Sequence, residues 1–553
     1  MRKSVTCFII FFLSATVSST VSGKLRDSIS PFQQEQPFAE KCNVWMVGKL
    51  ATVDGSVINT QTAGTTRVWF HPPADHEASA KRVVKCYNEY DRSFIGEETA
   101  PPVRAGRTIE IPELGHTFGY LEGDWWPLIN EHQVSIGETT LGDLRKELYP
   151  TKNSEAKLRV TDLTRIAVER AKTAREAIRI MGSLMEEHGF NPWGLYSGEF
   201  ISVADKNEVW AWEVIPVGQD WKKSSGKPGA AWCAMRIPDD MFAPSCNESI
   251  IGEIDLADPD RFMASSNVKS LAASFGWWDP KGGKPFRWDV AYWGKKANGL
   301  RTWRSLSLMA PSLNLKPNAE EYPIPVKPDK KISFFDLRKL YQDFYQGTEF
   351  DQTKGLAAGP FGCPWWPRGT GASYGTIPDA TGPSLAITQS RNWLPDPIGG
   401  LTWLGLGGWG DGCVYVPFYA GVTMLPQAYT VGIKTRFTWD SAYWIFNLVA
   451  NWSRLHYFRM MGEIVKVQSA VETAEINRLP GIDEEAYTEY RTNPSLATKY
   501  LNDYCLKNAE DVLNKWRDLA SYLIAWYSHN SWFGSEIEVP ASWKQAVREK
   551  KEE

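Results

Sequence analysis

The sequence predicts an α+β fold in which strand hairpins and paired helices form separate layers. Three observations support this prediction: a hairpin near residue 50, a helix pair between residues 161 and 187, and a second hairpin with a further strand between residues 199 and 237. These elements do not repeat as strand–helix–strand units. Their order therefore indicates α+β layers rather than a parallel sheet.

The first 23 of the 553 residues predict a secretory signal peptide, with a basic start, an apolar run from Val5 to Val17 and small residues after it. We find no second run of about 18 apolar residues and no lipid-anchor signal, so no stable membrane insertion is expected. The predicted location is the secretory pathway, either the extracellular space or a lysosomal or vacuolar lumen. A net charge of −4, without long single-sign blocks, indicates neither nucleic acid nor an anionic membrane as a partner.

Residues 24–41 are rich in Gln, Ser, Pro and charge and have no apolar period, which predicts a propeptide or a loose leader. The pattern changes directly after this segment. Val44 to Lys49 and Val57 to Thr62 are strand-like and are joined through the Asp54-Gly55 turn signal. Cys42 is therefore expected at the open end of a hairpin, with the polar residues of the second strand beside it.

Helical spacing between Thr161 and Glu187 predicts two antiparallel helices. Thr173-Ala-Arg-Glu176 forms a capping box for the second helix, and Gly189 is its expected end. Glu199 to Val203 and Glu208 to Val214 then predict another hairpin, and Ala230 to Ile237 predicts a third strand.

The chain from about Asp260 to Gly432 is rich in Pro, Gly and Trp and has little periodicity, which predicts long ordered loops around a site. Glu484 to His529 is amphipathic and predicts helical packing. We expect residues 42–470 to form one hydrolase domain and residues 471–553 to form a helical C-terminal extension.

The number of cysteines predicts that at least one thiol is not in a disulfide. Removal of the signal peptide, with Cys7, leaves seven cysteines in an oxidising compartment. Either three disulfides leave a reactive thiol over, or the odd cysteine is buried and inert. Cys42 suits the first alternative, because a cysteine at a new N-terminus has its own α-amine, of pKa about 8, within reach as a base.

Other chemistries find less support. The seven histidines form no HExxH spacing and there is no CxxC pair, so neither a metal nor another cofactor is predicted. Twenty-six tryptophans, several beside acids, are compatible with a glycan-active protein, since flat rings stack on sugars, but they can equally fill a large core. Sequons at Asn247 and Asn451 fit a secreted glycoprotein.

Several blocks of the sequence resemble the PepD-type dipeptidases, a cysteine N-terminal-nucleophile family that includes the secernins. The similar blocks are CNVWMVGKLATVDGSV from Cys42, NEHQVSIGETT from Asn130, KTAREAIRIM from Lys172, DKNEVWAWEVI, RIPDDMFAPSCNESIIGEIDLADPDRF from Arg236, TEFDQTKGLAAGPFGCP from Thr348, QSRNWLPDPIGGLTWLG from Gln389 and FTWDSAYWIFNLVAN from Phe437. The resemblance extends from Cys42 to about Gln468.

This resemblance implies a four-layer αββα sandwich, a Cys42 nucleophile and hydrolysis of dipeptides. Lys41-Cys42 would be cut by the protein itself or by a trypsin-like protease. By motif position, Asn247 donates to the oxyanion, and Glu138-Thr139 lies where related enzymes place another oxyanion group. Arg391 is either a grip for a substrate carboxylate or a structural ion pair.

Three departures from the family pattern stand beside this resemblance. Asn43 replaces the usual Thr, the segment around Gly64 lacks the usual acid, and Ile250 or Ile251 takes the place of an arginine. An acid near Gly64 would help to hold the α-amine.

The predicted function is therefore a dipeptidase that acts on small peptides through an N-terminal cysteine, with a homo-oligomer left open. The alternatives are a non-peptide amidase of the same fold, a catalytically weakened binding protein and the glycan-active protein. If Asn247 carries a glycan, it cannot also be an oxyanion donor.

Overall fold

Two antiparallel sheets lie at the centre of the molecule. The computed structural model describes residues 42–63, 65–77, 79–85, 108–124, 126–151, 153–192, 196–218, 220–367, 374–378, 384–528, 531–532 and 535–552. The predicted signal peptide (1–23) and leader (24–41) lie outside these ranges, as do Gly64 and Cys86.

The strands of the described residues are short. They are β1 Val44–Val47, β2 Val57–Ala63, β3 Val68–His71, β4 Ala74–Asp75, β5 Lys81–Lys85, β6 Thr108–Pro112, β7 His116–Thr117, β8 Tyr120–Gly123, β9 Pro127–Asn130, β10 Ser135–Leu141, β11 Gly198–Ala204, β12 Val209–Pro216, β13 Ala230–Ile237, β14 Phe242–Ser245, β15 Phe262–Ala264, β16 Ser384–Ser390, β17 Gly400–Gly405, β18 Val416–Tyr419, β19 Ser531–Trp532 and β20 Ser535–Glu536.

The first sheet has six strands in the order β14-β1-β2-β16-β17-β18, and the second has eight in the order β15-β13-β12-β11-β10-β9-β8-β3. The two sheets stack face to face. Asn59 of β2 bonds Ser135 of β10 and Ser202 of β11, and Thr139 of β10 bonds Ser245 of β14. These hydrogen bonds between the sheets set the position of the open end of the first hairpin relative to the second sheet.

The helices of the described residues lie outside the two sheets. They are α1 Val160–Val168, α2 Ala174–His188, α3 Val268–Ser274, α4 Trp288–Trp293, α5 Leu300–Met309, α6 Phe334–Leu340, α7 Asp396–Gly399, α8 Gln427–Thr430, α9 Ala442–Ser453, α10 Tyr457–Thr492, α11 Pro494–Trp526 and α12 Ala541–Glu552.

Each sheet buries its outer face under helices. Leu163 of α1 and Met181 of α2 pack with Trp210 and Trp212 on the second sheet. On the first sheet, Trp45 shares a core with residues of α5, α6, α9, α10 and α11. Burial of this apolar surface is the main force that holds the layers together.

The predicted combination of antiparallel sheets and helices is confirmed. Both hairpins and the third strand form as expected, and Gly55 takes a φ of 87° in the first turn. The capping box is half confirmed: Thr173 accepts from the Glu176 N–H, but the Glu176 carboxylate accepts from the Lys172 N–H. Gly189 ends α2 with a φ of 72°.

The prediction of loops from Asp260 to Gly432 was wrong. This segment supplies β16, β17 and β18, which make up half of the first sheet, as well as α5 and α6. The three strands lack the apolar and polar alternation of a half-exposed strand, because both faces are buried. Only the continuous apolar run of a buried strand remains, and the frequent glycines conceal it.

Many of the described tryptophans lie in the core. Trp45, Trp210, Trp212, Trp288, Trp403 and Trp516 are among the largest fully buried side chains. This placement favours core packing over sugar stacking as the reason for the high tryptophan content.

The C-terminal segment is helical, as predicted, and pairs α10 with α11. Helix α10 runs through residue 470, where the predicted boundary between the two domains lies, and that boundary stays a prediction. Within the described residues, none of the helices combines the length and apolarity that a membrane span requires.

Candidate active site

Cys42 lies directly ahead of β1, at the edge of the space between the two sheets, and is half-buried. Val44 and Met46 point into this space, where they pack with Leu141 and Phe200 of the second sheet. Side chains alternate along a strand, so Cys42 is on the same face as Val44 and Met46. Its sulfur is thus presented to the space between the sheets.

The other five described cysteines are unsuited to nucleophilic attack. Burial raises the pKa of Cys246 and Cys363 to about 11 and that of Cys413 and Cys505 to about 12, and it also raises the pKa of Cys233. The thiolate is the reactive form, so these side chains stay protonated and inert at neutral pH.

The disulfide alternative fails for the described cysteines. All six are thiols, so three disulfides cannot form, whatever the state of Cys86. Cys363, Cys413 and Cys505 lie in one buried core and Cys233 in another. Burial, rather than disulfide bonding, is what separates the other thiols from Cys42.

Arg301 joins the two chain segments that meet at this site, and sequence reasoning missed it. Its Nη1 donates to the Cys42 carbonyl at 2.8 Å and to Asn43 Oδ1 at 3.0 Å. Its Nη2 donates to the Cys246 carbonyl and to Asn247 Oδ1, both at 2.8 Å. One planar guanidinium thereby holds the start of β1 against the turn after β14.

The start of helix α5 places Arg301. Glu248 accepts hydrogen bonds from the Asn298 and Gly299 N–H groups and from the Thr302 hydroxyl, so its negative charge lies at the N-terminus of the helix. A Cβ at Gly299 would lie 2.6 Å from Glu248 Oε2, so the Glu248 carboxylate would have to move to admit a side chain there. Glu248 directly follows Asn247 in the chain, so its bonds hold the start of α5 beside the Asn247 turn.

Asn247 lies where the resemblance expects it, beside the Cys42 segment. It takes a φ of 64°, a left-handed conformation that asparagine tolerates better than most residues. Its Nδ2 donates to the Thr140 carbonyl at 2.8 Å while its Oδ1 accepts from Arg301. A glycan on Nδ2 would leave a single N–H, so the amide could not donate to Thr140 and to an oxyanion at once.

Of the predicted pair on β10, Thr139 points toward the first sheet and Glu138 away from it. Thr139 Oγ1 lies 2.8 Å from Ser245 Oγ, and Ser245 pairs with Val44. Glu138 is buried on the opposite face, where its carboxylate accepts from the Thr140 hydroxyl at 3.2 Å. The Glu138 side chain is therefore turned away from Cys42.

A buried carboxylate organises the segment that follows Gly64. Asp124 Oδ2 accepts from the Thr66 N–H at 2.5 Å and from the Thr66 hydroxyl at 2.8 Å, and Asp124 Oδ1 pairs with Arg67 at 3.2 Å. The segment around Gly64 holds no acidic residue of its own. The carboxylate that bonds to this segment is Asp124, which follows β8. Asp124 fixes the backbone of this loop.

Arg391 lies at the other end of the sheet. Asn43 bonds Thr62 at one end of β2, whereas Ser390 pairs with Val57 at the other, so Arg391 is about 20 Å from Cys42 along the strands. It forms a two-point ion pair with Asp483 of α10, at 2.6 and 3.2 Å. Arg391 thus forms an ion pair in the folded chain, and its contact with a substrate carboxylate stays a prediction.

Comparisons with known proteins agree with the resemblance. The family model described as Peptidase family C69 matches residues 41–470. A "Probable dipeptidase" of Latilactobacillus sakei is 25% identical over 80% of this chain and 87% of its own length. A "Dipeptidase" of Bifidobacterium longum is 25% identical over 74% and 76%, and "Dipeptidase A" of Lactobacillus helveticus is 24% identical over 88% and 96%, respectively.

Proposed function

The chain belongs to peptidase family C69, and we propose that it is a cysteine-type dipeptidase whose nucleophile is the thiol of Cys42. The observation that carries this proposal is the four-bond contact of Arg301, which holds the Cys42 segment against the Asn247 turn. The relatives named dipeptidase supply the substrate class.

In this proposal the chain folds as an αββα N-terminal-nucleophile hydrolase. Residues 1–23 direct it into the secretory pathway, and removal of residues 24–41, by self-cleavage or by another protease, makes Cys42 the first residue. The peptide N–H of Cys42 then becomes a primary amine of ordinary pKa about 8, which can take a proton near neutral pH.

The reaction begins when the amine takes the thiol proton and the sulfur attacks the scissile carbonyl carbon. Negative charge develops on the carbonyl oxygen, and Asn247 can donate to it, since an amide nitrogen carries two protons and Thr140 uses one. The carbon–nitrogen bond then breaks, and the leaving amine takes the proton from the α-ammonium. Water attacks the thioester by the same route, which releases the second product and restores the thiol.

The charge of Arg301 assists this chemistry from a short distance. A fixed cation beside a thiol favours the thiolate form, so it lowers the cost of forming the nucleophile. Arg301 touches the carbonyl of Cys42 rather than the reacting atoms, so it is a positioning residue. The same bonds keep the sulfur and the Asn247 amide at a constant separation.

The test is the activity of Cys42→Ala and Cys42→Ser on a panel of dipeptides, with the first residue of each purified chain read by mass spectrometry. We expect the wild-type chain to begin at Cys42 and both variants to lose dipeptide hydrolysis. Cys505→Ala is the matched control, because it removes a buried thiol of raised pKa and should keep full activity.

Three results would count against the proposal. Retained hydrolysis in Cys42→Ala would require another nucleophile. A mature chain that begins near residue 24 would exclude the α-amine as the base. Cleavage of N-acyl amides but not of dipeptides would identify a non-peptide amidase of the same family.

A further inference from the structure

Gln61 is a buried amide in the neighbourhood of Cys42. It lies on β2, between Val44 of β1 and Ala386 of β16. Asn59, two residues earlier on the same strand, bonds Ser202 and Ser135 of the second sheet, so Asn59 and Gln61 both face the space between the sheets. Cys42 faces the same space two residues before Val44.

The side-chain amide of Gln61 differs from its polar neighbours on β2. Asn59 bonds two serines, Thr60 accepts from the Trp45 N–H, and Thr62 exchanges hydrogen bonds with the backbone of Asn43. Gln61 is 1% exposed, yet neither its Oε1 nor its Nε2 has a hydrogen-bond partner in the described part of the chain.

A buried amide without partners is costly, and folded proteins rarely retain one unless a ligand, a water or a later step supplies the partner. Diagonal neighbours on paired strands have Cβ atoms roughly 7–8 Å apart, which a glutamine side chain can span. Cys42 is the diagonal neighbour of Gln61 on this face, so the Cys42 nitrogen lies within that reach.

We propose that Gln61 is a positioning residue for the α-amine of Cys42, with its Oε1 accepting a hydrogen bond from that amine after cleavage. The proposal rests on the proposed function, because cleavage before Cys42 creates the amine. Before cleavage the same nitrogen carries the single proton of a peptide bond, and afterwards it carries at least two.

A neutral acceptor has a chemical consequence that a carboxylate would not have. A carboxylate beside the amine would stabilise the ammonium and raise the amine pKa, whereas an amide oxygen holds the amine without adding charge. Arg301, which contacts the Cys42 carbonyl, adds a nearby positive charge that lowers the amine pKa further. Together they keep the amine unprotonated, and so able to act as a base, near neutral pH.

The experiment compares Gln61→Leu and Gln61→Glu with the wild type, by dipeptide hydrolysis from pH 5 to 9. Gln61→Leu should lower kcat about tenfold, the worth of one hydrogen bond, with KM within about twofold. Gln61→Glu should keep the acceptor but move the acid limb of kcat/KM to higher pH by about one unit.

Thermal unfolding separates a positioning role from a structural one. Because the amide has no partner in the uncleaved chain, Gln61→Leu should raise the unfolding midpoint of the precursor, by on the order of 2 °C. Asn59→Leu is the matched control on the same strand and face. It breaks two serine contacts, so it should lower the midpoint and leave the acid limb unmoved.

Wild-type kcat in Gln61→Leu, or an unmoved acid limb in Gln61→Glu, would overturn the proposal. So would a Gln61→Leu chain in which Lys41-Cys42 stays uncut, since a contact to the released amine cannot be needed for its release. These results differ from a failure of the proposed function, which would appear as retained activity in Cys42→Ala.

Discussion

The two ends of the six-stranded sheet each hold an arginine with four or more hydrogen bonds, but the partners differ. At the Cys42 end, Arg301 donates to two carbonyls and two asparagine side-chain oxygens, all of them neutral. At the other end, Arg391 donates to the Gly399 and Ile398 carbonyls and forms a two-point ion pair with Asp483.

One carboxylate from each of the two regions shows a similar difference. Asp483 receives Arg391 and the Tyr419 hydroxyl. Glu213, behind the Asn247 turn, accepts from the Ser249 and Trp288 side chains and from two backbone N–H groups. Arg391 is paired with a carboxylate, whereas the printed partners of Arg301 and of Glu213 in the described residues are all neutral groups.

Substitution of Arg301 should have the largest effect. Arg301→Gln removes the positive charge and most of the contacts that join the Cys42 segment to the Asn247 turn. We expect kcat/KM to fall about 10³-fold, equivalent to about 4 kcal/mol of transition-state stabilisation. Arg301→Lys keeps the charge but not the planar fork, so its loss should be intermediate.

Steady-state kinetics on one dipeptide, together with circular dichroism to verify folding, provide the measurement. Arg391→Met serves as the control for removal of a buried arginine. If Arg301→Gln and Arg391→Met lost equal activity, the assignment of Arg301 to catalysis and of Arg391 to stability would be wrong.

Arg391→Met should affect stability instead of activity. It leaves the largely buried Asp483 without its cation, which costs about 3 kcal/mol of unfolding free energy, while kcat/KM stays within about twofold. Urea unfolding followed by tryptophan fluorescence measures the loss. The double variant Arg391→Met/Asp483→Leu should recover most of it, because both charges are then gone. A large loss of activity in the single variant would instead support substrate binding by Arg391.

Glu213 provides the smallest and most specific test of the comparison. Burial raises its pKa from an ordinary value near 4.5 to about 7. The native state then holds the proton more tightly than the unfolded state, so this stability is full below about pH 4.5 and is lost as the pH rises through 7.

Glu213→Gln cannot titrate at this position. Between pH 5 and 7 the wild type should therefore lose about 2 kcal/mol of unfolding free energy relative to the variant. Urea unfolding of both proteins across this range gives the difference. A constant gap between the two curves would mean that the neutral donors around Glu213 offset its burial completely.

The hairpin from Val44 to Thr62 and the elements from Thr161 to Ile237 were predictable because their signals are local, whereas the strands β3 to β10 between them were not predicted. The Asp54-Gly55 turn, the capping threonine Thr173 and the alternating strands around Asp205 each act within a few residues. Helix α5 has no such signal: Thr302 and Ser305 lie buried beside Trp303 and Leu306, so polar residues interrupt its apolar stripe.

The active-site candidates were predictable only in part. Cys42 and Asn247 were expected by resemblance, and the structure brings their segments together. Arg301 could not be found, because its role depends on contact between segments 54 and 259 residues away from it in the chain. Gly299, two residues earlier, and Glu248 were the available signals, but their contact is seen only in the folded chain, where the turn and the helix meet.

The contacts of Arg301 and Thr62 with the start of β1 all lie on the downstream side of the Lys41-Cys42 bond, at the Cys42 carbonyl and at Asn43. Chain ends usually fray, because their last residues have few bonds to restrain them. A cut before Cys42 would instead create a terminus whose second residue, Asn43, is already hydrogen-bonded to Thr62 and to Arg301. The amide hydrogen of Asn43 should therefore exchange with solvent as slowly in the mature enzyme as in its precursor.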